Sequence, residues 1–82
     1  MKPVDPPTPE AALVRKARLV LGMTQEQFSE LLGYGGSRYV RFWESGKMPP
    51  RPLLLQWCNM IIILATAHGP TQAIELANGG AL

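Results

Sequence analysis

The sequence predicts an all-α domain of five helices. Favourable capping residues precede the first three helical segments, glycine or a Gly-Pro pair ends each helix, and no segment has a convincing strand pattern. The chain has 82 residues, the size of one small domain, and such a domain buries only about 60% of the surface of its unfolded chain. We therefore expect a single bundle over residues 8–82.

The N-terminal boundary of this domain follows from its prolines. Residues 1–7 are rich in proline and are expected to form a flexible arm. Thr8 is a favourable N-cap, and Pro9 occupies the preferred first position of a helix. The first helix is expected to end at Gly22, and its inner side comprises Ala12, Leu13, Ala17, Val20 and Leu21.

The second helix is predicted to begin at Thr24. Thr24 and Gln27 have the spacing of a capping box, and Met23 can pack on Phe28 across the first turn. Gly33 can take positive φ, which predicts the end of the helix there. The residues of its inward face are Phe28, Leu31 and Leu32.

A third helix follows a turn that contains glycine. Ser37 can cap it, Gly46 ends it, and Val40 and Trp43 lie on its core side. Two helices of about two turns each are unstable alone, so the rest of the chain must support them. A pair of short helices around a turn, with arginines on the second, is typical of a helix-turn-helix that enters a DNA groove. The side chains left on the other sides of this helix are Arg38, Tyr39, Arg41 and Phe42.

Two more helices complete the predicted fold. A stiff, proline-containing connection leads to a fourth helix at residues 53–67, and residues 71–77 form a short fifth helix. The fourth helix is apolar around most of its circumference, yet it is shorter than the about 20 residues that a membrane span needs. We therefore expect it to be buried within the protein.

A domain of this size has too little surface of its own to cover the fourth helix. We expect a symmetric homodimer in which helix 4 forms most of the interface and helix 5 contributes. The alternative is a core that helix 5 closes entirely within one chain. The residues predicted to lie in the dimer interface are Leu54, Trp57, Ile61, Ile62 and Leu64.

Basic residues are concentrated on the predicted helix-turn-helix. Seven of the eight lysines and arginines lie between positions 14 and 51, with three acidic residues in that interval, although the formal net charge is only +2. Such a cluster provides a positive surface for DNA phosphates. The alternative is a solvated basic surface without a nucleic-acid partner.

Two parts of the motif resemble the Xre/Cro-type helix-turn-helix family of phage and bacterial regulators. They are Gln-Glu-Gln-Phe-Ser-Glu-Leu-Leu-Gly at residues 25–33 and Trp-Glu-Ser-Gly-Lys at residues 43–47. The resemblance covers residues 11–68 and implies a lambda-repressor-like five-helix bundle. The matching positions are Gln25, Ser29, Gly33, Val40 and the exit Glu44-Ser45-Gly46-Lys47.

The resemblance also assigns roles to single residues. It implies a structural ion pair between Arg18 and Glu44. The turn is one residue longer than in the family, because Tyr34-Gly35-Gly36 occupies the space of two residues, so we number the reading face from Val40 and Trp43. That numbering gives the base-reading candidates Ser37, Arg38 and Arg41, with Tyr39 and Phe42 beside them.

The chemistry of these side chains suits the edges of DNA bases. Arginine can donate two hydrogen bonds to guanine, and an aromatic edge can contact the methyl group of thymine. The alternatives are phosphate contact for Arg38 and Arg41, and packing at the core or its rim for Tyr39 and Phe42.

A second set of residues is predicted to contact phosphates. Gln25 lies at the start of helix 2, where backbone N–H groups point outward, and Ser45 and Lys47 follow the reading helix. Arg15 and Arg51 are weaker candidates, for which the alternative is a solvated side chain.

Catalytic and metal chemistry is not indicated by the sequence. Cys58 is the only cysteine and His68 the only histidine, so no intrachain disulfide or cysteine-rich zinc site is expected. His68 is expected to lie at a helix C-terminus, where its charge is favourable. The acidic residues lack a catalytic spacing, and no signal peptide is recognisable. We expect a cytoplasmic protein without enzyme activity, metal, cofactor, membrane contact or small-molecule ligand.

These patterns together predict a regulator that binds double-stranded DNA. The expected form is a dimeric autorepressor, which recognises an operator of two inverted half-sites about one helical turn apart. A phage or mobile element is the expected source, and a regulator associated with anti-CRISPR genes would be one such case. The alternative is an antitoxin-type module that binds a toxin protein and its own promoter.

Overall fold

Five α-helices account for most of residues 8–78, the part of the chain that the computed structural model describes. No strand occurs within this range, so the predicted all-α, five-helix fold is confirmed. The predicted N-terminal arm at residues 1–7 lies outside the described residues. The helices are α1 (Pro9–Val20), α2 (Gln25–Leu31), α3 (Arg38–Ser45), α4 (Pro52–His68) and α5 (Pro70–Asn78).

The beginnings of α1 and α2 have the predicted caps. The Ala11 backbone N–H donates to the Thr8 hydroxyl at 3.0 Å. At α2 the Gln27 N–H donates to the Thr24 hydroxyl at 3.1 Å, and the Thr24 N–H donates to the Gln27 side-chain oxygen at 3.0 Å. Both halves of the capping box are therefore present, and they satisfy N–H groups that the helix itself leaves unpaired.

Glycines with positive φ end α2 and α3, as predicted. Gly33 has φ of +86° and Gly46 has φ of +78°, values that a residue with a Cβ adopts only with strain. Beyond each glycine the chain turns back and donates a hydrogen bond to the last helical turn. These bonds join the Tyr34 N–H to the Ser29 carbonyl at 2.9 Å and the Lys47 N–H to the Phe42 carbonyl at 3.0 Å.

The hydrophobic core lies where α1 meets α3 and α4. The helix α2 packs on α3, and α5 packs along α4, so each of the two contributes one fully buried side chain to this core. The clustered core residues are Val14, Ala17, Leu21, Phe28, Val40, Trp43, Cys58, Ile61 and Ala73.

The inner side predicted for α1 is partly wrong. Ala12 is exposed, whereas Ala11 and Val14 are fully buried. The buried stripe follows residues 11, 14, 17 and 21, because α1 faces α3 and α4 together and the stripe points between them. Leu13 and Val20 flank the stripe and are half-buried against the core.

Cys58 is buried in the core as a free thiol. Burial raises the pKa of the Cys58 thiol to about 12, since the thiolate would lose its hydration. The neutral thiol contributes stability that is fully present below the ordinary thiol pKa of 9.0 and is lost as the pH rises toward 12.

We expect Cys58 to resist thiol reagents while the chain is folded, because the thiolate is the reactive form. Labelling with a disulfide reagent at pH 8 should be slow in the native protein and fast in urea. The urea-unfolded chain serves as the matched reference, because it contains the same single cysteine. Equal labelling rates in the two states would contradict the buried position of the thiol.

Candidate nucleic-acid interface

The turn between α2 and α3 sets the angle at which α3 is presented. Ser29 is fully buried below this turn, and its hydroxyl lies 3.4 Å from the Tyr34 carbonyl, to which it donates. A small residue is required at position 29 because the returning backbone covers it. Gly36, with φ of +69°, then leads into Ser37.

The turn is one residue longer than in the family that it resembles, and Tyr34 in this turn packs on α3. Its ring centroid lies 4.9 Å from that of Tyr39 and 5.4 Å from that of Trp43. Aromatic pairs at these separations attract each other. The longer turn is therefore held against α3, and it leaves the core contacts of Val40 and Trp43 in place.

An ion pair between Arg18 and Glu44 joins α1 to the end of α3. The Arg18 Nε lies 2.7 Å from Glu44 Oε2 and the second guanidinium nitrogen 3.0 Å from Oε1, so the pair is bidentate. The third nitrogen of Arg18 donates to the Met23 carbonyl at 3.0 Å. The two side chains are only 14% and 7% exposed. The pair predicted from the family resemblance is thus present, and it fixes both the α1–α2 connection and α3.

The exposed face of α3 brings together most of the predicted base-reading residues. Val40 and Trp43 are buried, which fixes the rotation of the helix about its axis. Arg38 and Arg41 lie three residues apart and are both exposed, while Ser37 and Phe42 flank them. Ser37 occupies the N-cap position, but its side chain makes no capping hydrogen bond.

Tyr39 is separated from this face. It lies two residues from Arg41, which corresponds to about 200° around the helix. Its ring packs beside Tyr34, and the Tyr39 and Trp43 centroids are 6.1 Å apart. Tyr39 therefore belongs to an aromatic cluster on the other side of α3. This position fits the alternative interpretation of Tyr39, which was packing at the rim of the core.

The residues after α3 are engaged in local contacts. The Lys47 Nζ lies 5.0 Å from the centroid of the Phe42 ring, a cation–π geometry that shields part of that ring. The Ser45 hydroxyl donates to the Phe42 carbonyl at 3.2 Å. Lys47 keeps its charge at the end of the reading helix, whereas Ser45 would have to exchange its present bond to donate to a phosphate.

The other phosphate candidates lie on three different helices. Gln25 is the first residue of α2 and is half-buried. Arg51 is exposed at the N-cap position of α4, and Arg15 is exposed on α1. Gln25, Ser45, Lys47 and Arg51 are close in sequence to the ends of the helix-turn-helix, whereas Arg15 is not.

The residues predicted for the dimer interface pack mainly within the chain. Ile61 is fully buried within the chain and so presents no surface to a dimer interface. Trp57 is half-buried, and its ring lies 6.0 Å from the Phe28 ring. Leu54, Ile62 and Leu64 are half-buried against the same core. Because α1 and α5 both pack on α4, this side of α4 is covered within one chain.

A different side of α4 is left uncovered. Leu53 is 78% exposed, Met60 40% and Ile63 68%. Together with the exposed Gln56 and Ala67 these residues follow a spacing of three and four that lies along one helical seam. We call Leu53, Gln56, Met60, Ile63 and Ala67 the α4 seam.

Neither a metal-binding cluster nor a membrane-spanning helix occurs among the described residues. Within residues 8–78 no three side chains of His, Cys, Asp or Glu are arranged to hold a metal ion. In the same range no helix has both the length and the apolar character needed to cross a membrane. His68 is the last residue of α4, at the helix C-terminus as predicted.

Comparison of the chain with protein-family models, with curated proteins and with solved structures found no match. The described residues form a five-helix bundle in which a short helix carries two exposed arginines and is fixed by a bidentate ion pair.

Proposed function

We propose that this chain is a sequence-specific DNA-binding regulator of the Xre/Cro type, acting in the cytoplasm as a dimeric autorepressor. The observation that carries the proposal is the presentation of Arg38 and Arg41 on the exposed face of α3. This helix is fixed behind by Val40 and Trp43 and at its end by the pair with Glu44. A rigid, exposed helix with arginines is suited to the major groove.

In this proposal the residues divide into two classes of contact. Arg38 and Arg41 read base edges, with Ser37 and Phe42 beside them, and Tyr39 is left out because it faces away from Arg41. Phosphates are contacted from the start of α2 and from the end of α3, and these contacts set the register without reading sequence. The phosphate-contacting residues are Gln25, Lys47 and Arg51.

Selection of binding sites from random duplexes tests the proposal directly. A dimeric regulator should enrich an inverted repeat with half-sites about one helical turn apart. The Arg38→Ala, Arg41→Ala double variant is the matched control and should enrich no motif. The proposal fails if the wild-type chain enriches no sequence or enriches the same sequences as this variant.

We propose that the dimer forms through the α4 seam rather than through the predicted residues. The seam presents large apolar side chains to solvent, and α4 contains no Asp, Glu, Lys or Arg that would oppose contact with an identical helix. Burial of one large apolar side chain contributes roughly 1.5–3 kcal/mol. Pairing of two seams would also place two copies of α3 in one molecule, as an inverted-repeat operator requires.

Replacement of Ile63 by Glu should weaken association by about tenfold or more, because a charge would be buried in the seam. Analytical ultracentrifugation at micromolar concentration measures the effect. Leu19→Glu is the matched control, since Leu19 is also exposed, at 55%, but lies on α1. Circular dichroism should show that both variants remain helical.

A wild-type chain that sediments as a monomer would contradict the dimer and the palindromic operator together. The same seam would then be free for a protein of another kind, as in the antitoxin-type alternative. That alternative is favoured if a small partner protein co-purifies with the wild-type chain but not with Ile63→Glu.

A further inference from the structure

A cleft of about 150 Å³ lies between α3 and the connection to α4. The aromatic cluster of Tyr34, Tyr39 and Trp43 forms one wall, with ring centroids between 4.9 and 6.1 Å apart. A cavity of this volume has the size of a single aromatic ring. The remaining lining residues are Met48, Pro49 and Arg51.

Arg51 gives the cleft a positive end. Pro50 and Pro52 restrict the backbone on both sides of this residue, and φ of −69° with ψ of 150° places it in extended conformation. Among the described residues its guanidinium has neither an ion-pair partner nor a hydrogen-bond partner. An arginine held in this way has its full donor capacity left for a ligand.

Two tyrosines also line the cleft. Neither the Tyr34 hydroxyl nor the Tyr39 hydroxyl has a hydrogen-bond partner within residues 8–78. No carboxylate lines the cleft among the described residues. The cleft therefore combines aromatic rings with one cation.

The positive charge of the cleft determines which class of aromatic-binding ligand it favours. Clusters of aromatic rings often hold cations, but Arg51 would repel a cation here and no acidic side chain would offset it. A planar ring can stack on the aromatic wall, and a carboxylate can accept two hydrogen bonds from a guanidinium. A small molecule that carries one aromatic ring and one carboxylate can make both contacts.

We propose that this cleft binds a one-ring aromatic carboxylate, with the ring against Tyr39 and Trp43 and the carboxylate on Arg51. The aromatic wall lies on the side of α3 away from Arg41, so a ligand there leaves the base-reading face free. Arg51, proposed above to contact a phosphate, would be shared between this ligand and DNA. The proposal stands whether or not the chain binds DNA, because the site is complete within one chain.

Titration of the isotope-labelled protein with benzoate, followed by NMR, tests the site. The Trp43 indole N–H signal should shift and saturate, whereas the signal of Trp57, which packs on Phe28, should not. Benzylamine, with the same ring and the opposite charge, should bind at least about tenfold more weakly. Cyclohexanecarboxylate, with the same charge but no flat ring, should also bind at least about tenfold more weakly.

Two variants separate the contributions of charge and ring. Arg51→Gln and Tyr39→Ala should each weaken benzoate binding by about tenfold, and both positions are exposed, so the fold should persist. Lys16→Gln on α1 is the matched control and should bind as the wild type does. The proposal is overturned if benzoate causes no saturable shift of Trp43, if benzylamine binds equally well, or if Arg51→Gln retains wild-type affinity.

Discussion

Glu44→Ala is expected to lower the free energy of unfolding by about 2–3 kcal/mol, because it leaves the nearly buried guanidinium of Arg18 without its partner. A domain of this size has a total stability of only about 5–15 kcal/mol, so the loss is a large share. Urea unfolding followed by circular dichroism measures it. In this variant the end of α3 should also lose its ion-pair link to α1, because no other described side chain pairs with Arg18.

Two controls make this prediction specific to the pair. Glu30→Ala removes an exposed carboxylate from α2 and should change stability by less than about 0.5 kcal/mol. The Arg18→Ala, Glu44→Ala double variant should be more stable than the sum of the single losses implies, because the two residues are coupled. Losses that are simply additive would show that the pair contributes no interaction of its own.

Arg41→Ala is expected to cost about 1–3 kcal/mol in binding to the selected DNA site and much less on a scrambled duplex. The physical reason is the loss of hydrogen bonds to one base pair, and preference at that base pair should relax. Fluorescence anisotropy with the two duplexes measures the difference. The same behaviour is expected of Arg38→Ala, since Arg38 is exposed on the same face of α3.

Lys47→Ala is the matched control for this experiment. It removes one positive charge near the end of α3 and should weaken both duplexes alike, with a salt dependence less steep by about one unit. If Arg41→Ala also weakened both duplexes equally, Arg41 would contact phosphate and not a base. No loss on either duplex would show that the reading face has been numbered from the wrong anchor.

Local chemistry in the sequence determined where three of the five helices begin or end. Thr8 and Thr24 form the predicted caps, and Gly33 and Gly46 take the positive φ that ends a helix. These features depend on residues within one turn of each other, so the interactions that stabilise them do not require contacts with the rest of the fold. The core positions of α3 also followed from sequence, because Val40 and Trp43 contrast with charged neighbours.

The rotation of α1 and α4 about their axes was decided only by the tertiary structure. Residues 53–67 are apolar on nearly every side, so no polar face in the sequence shows which side meets solvent. Packing by α1 and α5 covers Ile61 and leaves Ile63 exposed, although both are isoleucines of one helix. In α1 the adjacent alanines Ala11 and Ala12 are alike in sequence, and Ala12 was predicted inside, whereas Ala11 and Val14 are the buried residues.

The aromatic cleft also required the tertiary structure. Tyr34, Tyr39 and Trp43 are visible in the sequence, but the longer turn gives no indication of where the ring of Tyr34 lies. Only the fold shows that it packs on α3 and that Arg51 lines the same cleft. Caps and helix ends are thus determined locally, whereas the side that an apolar helix or a turn residue presents is determined by the elements packed against it.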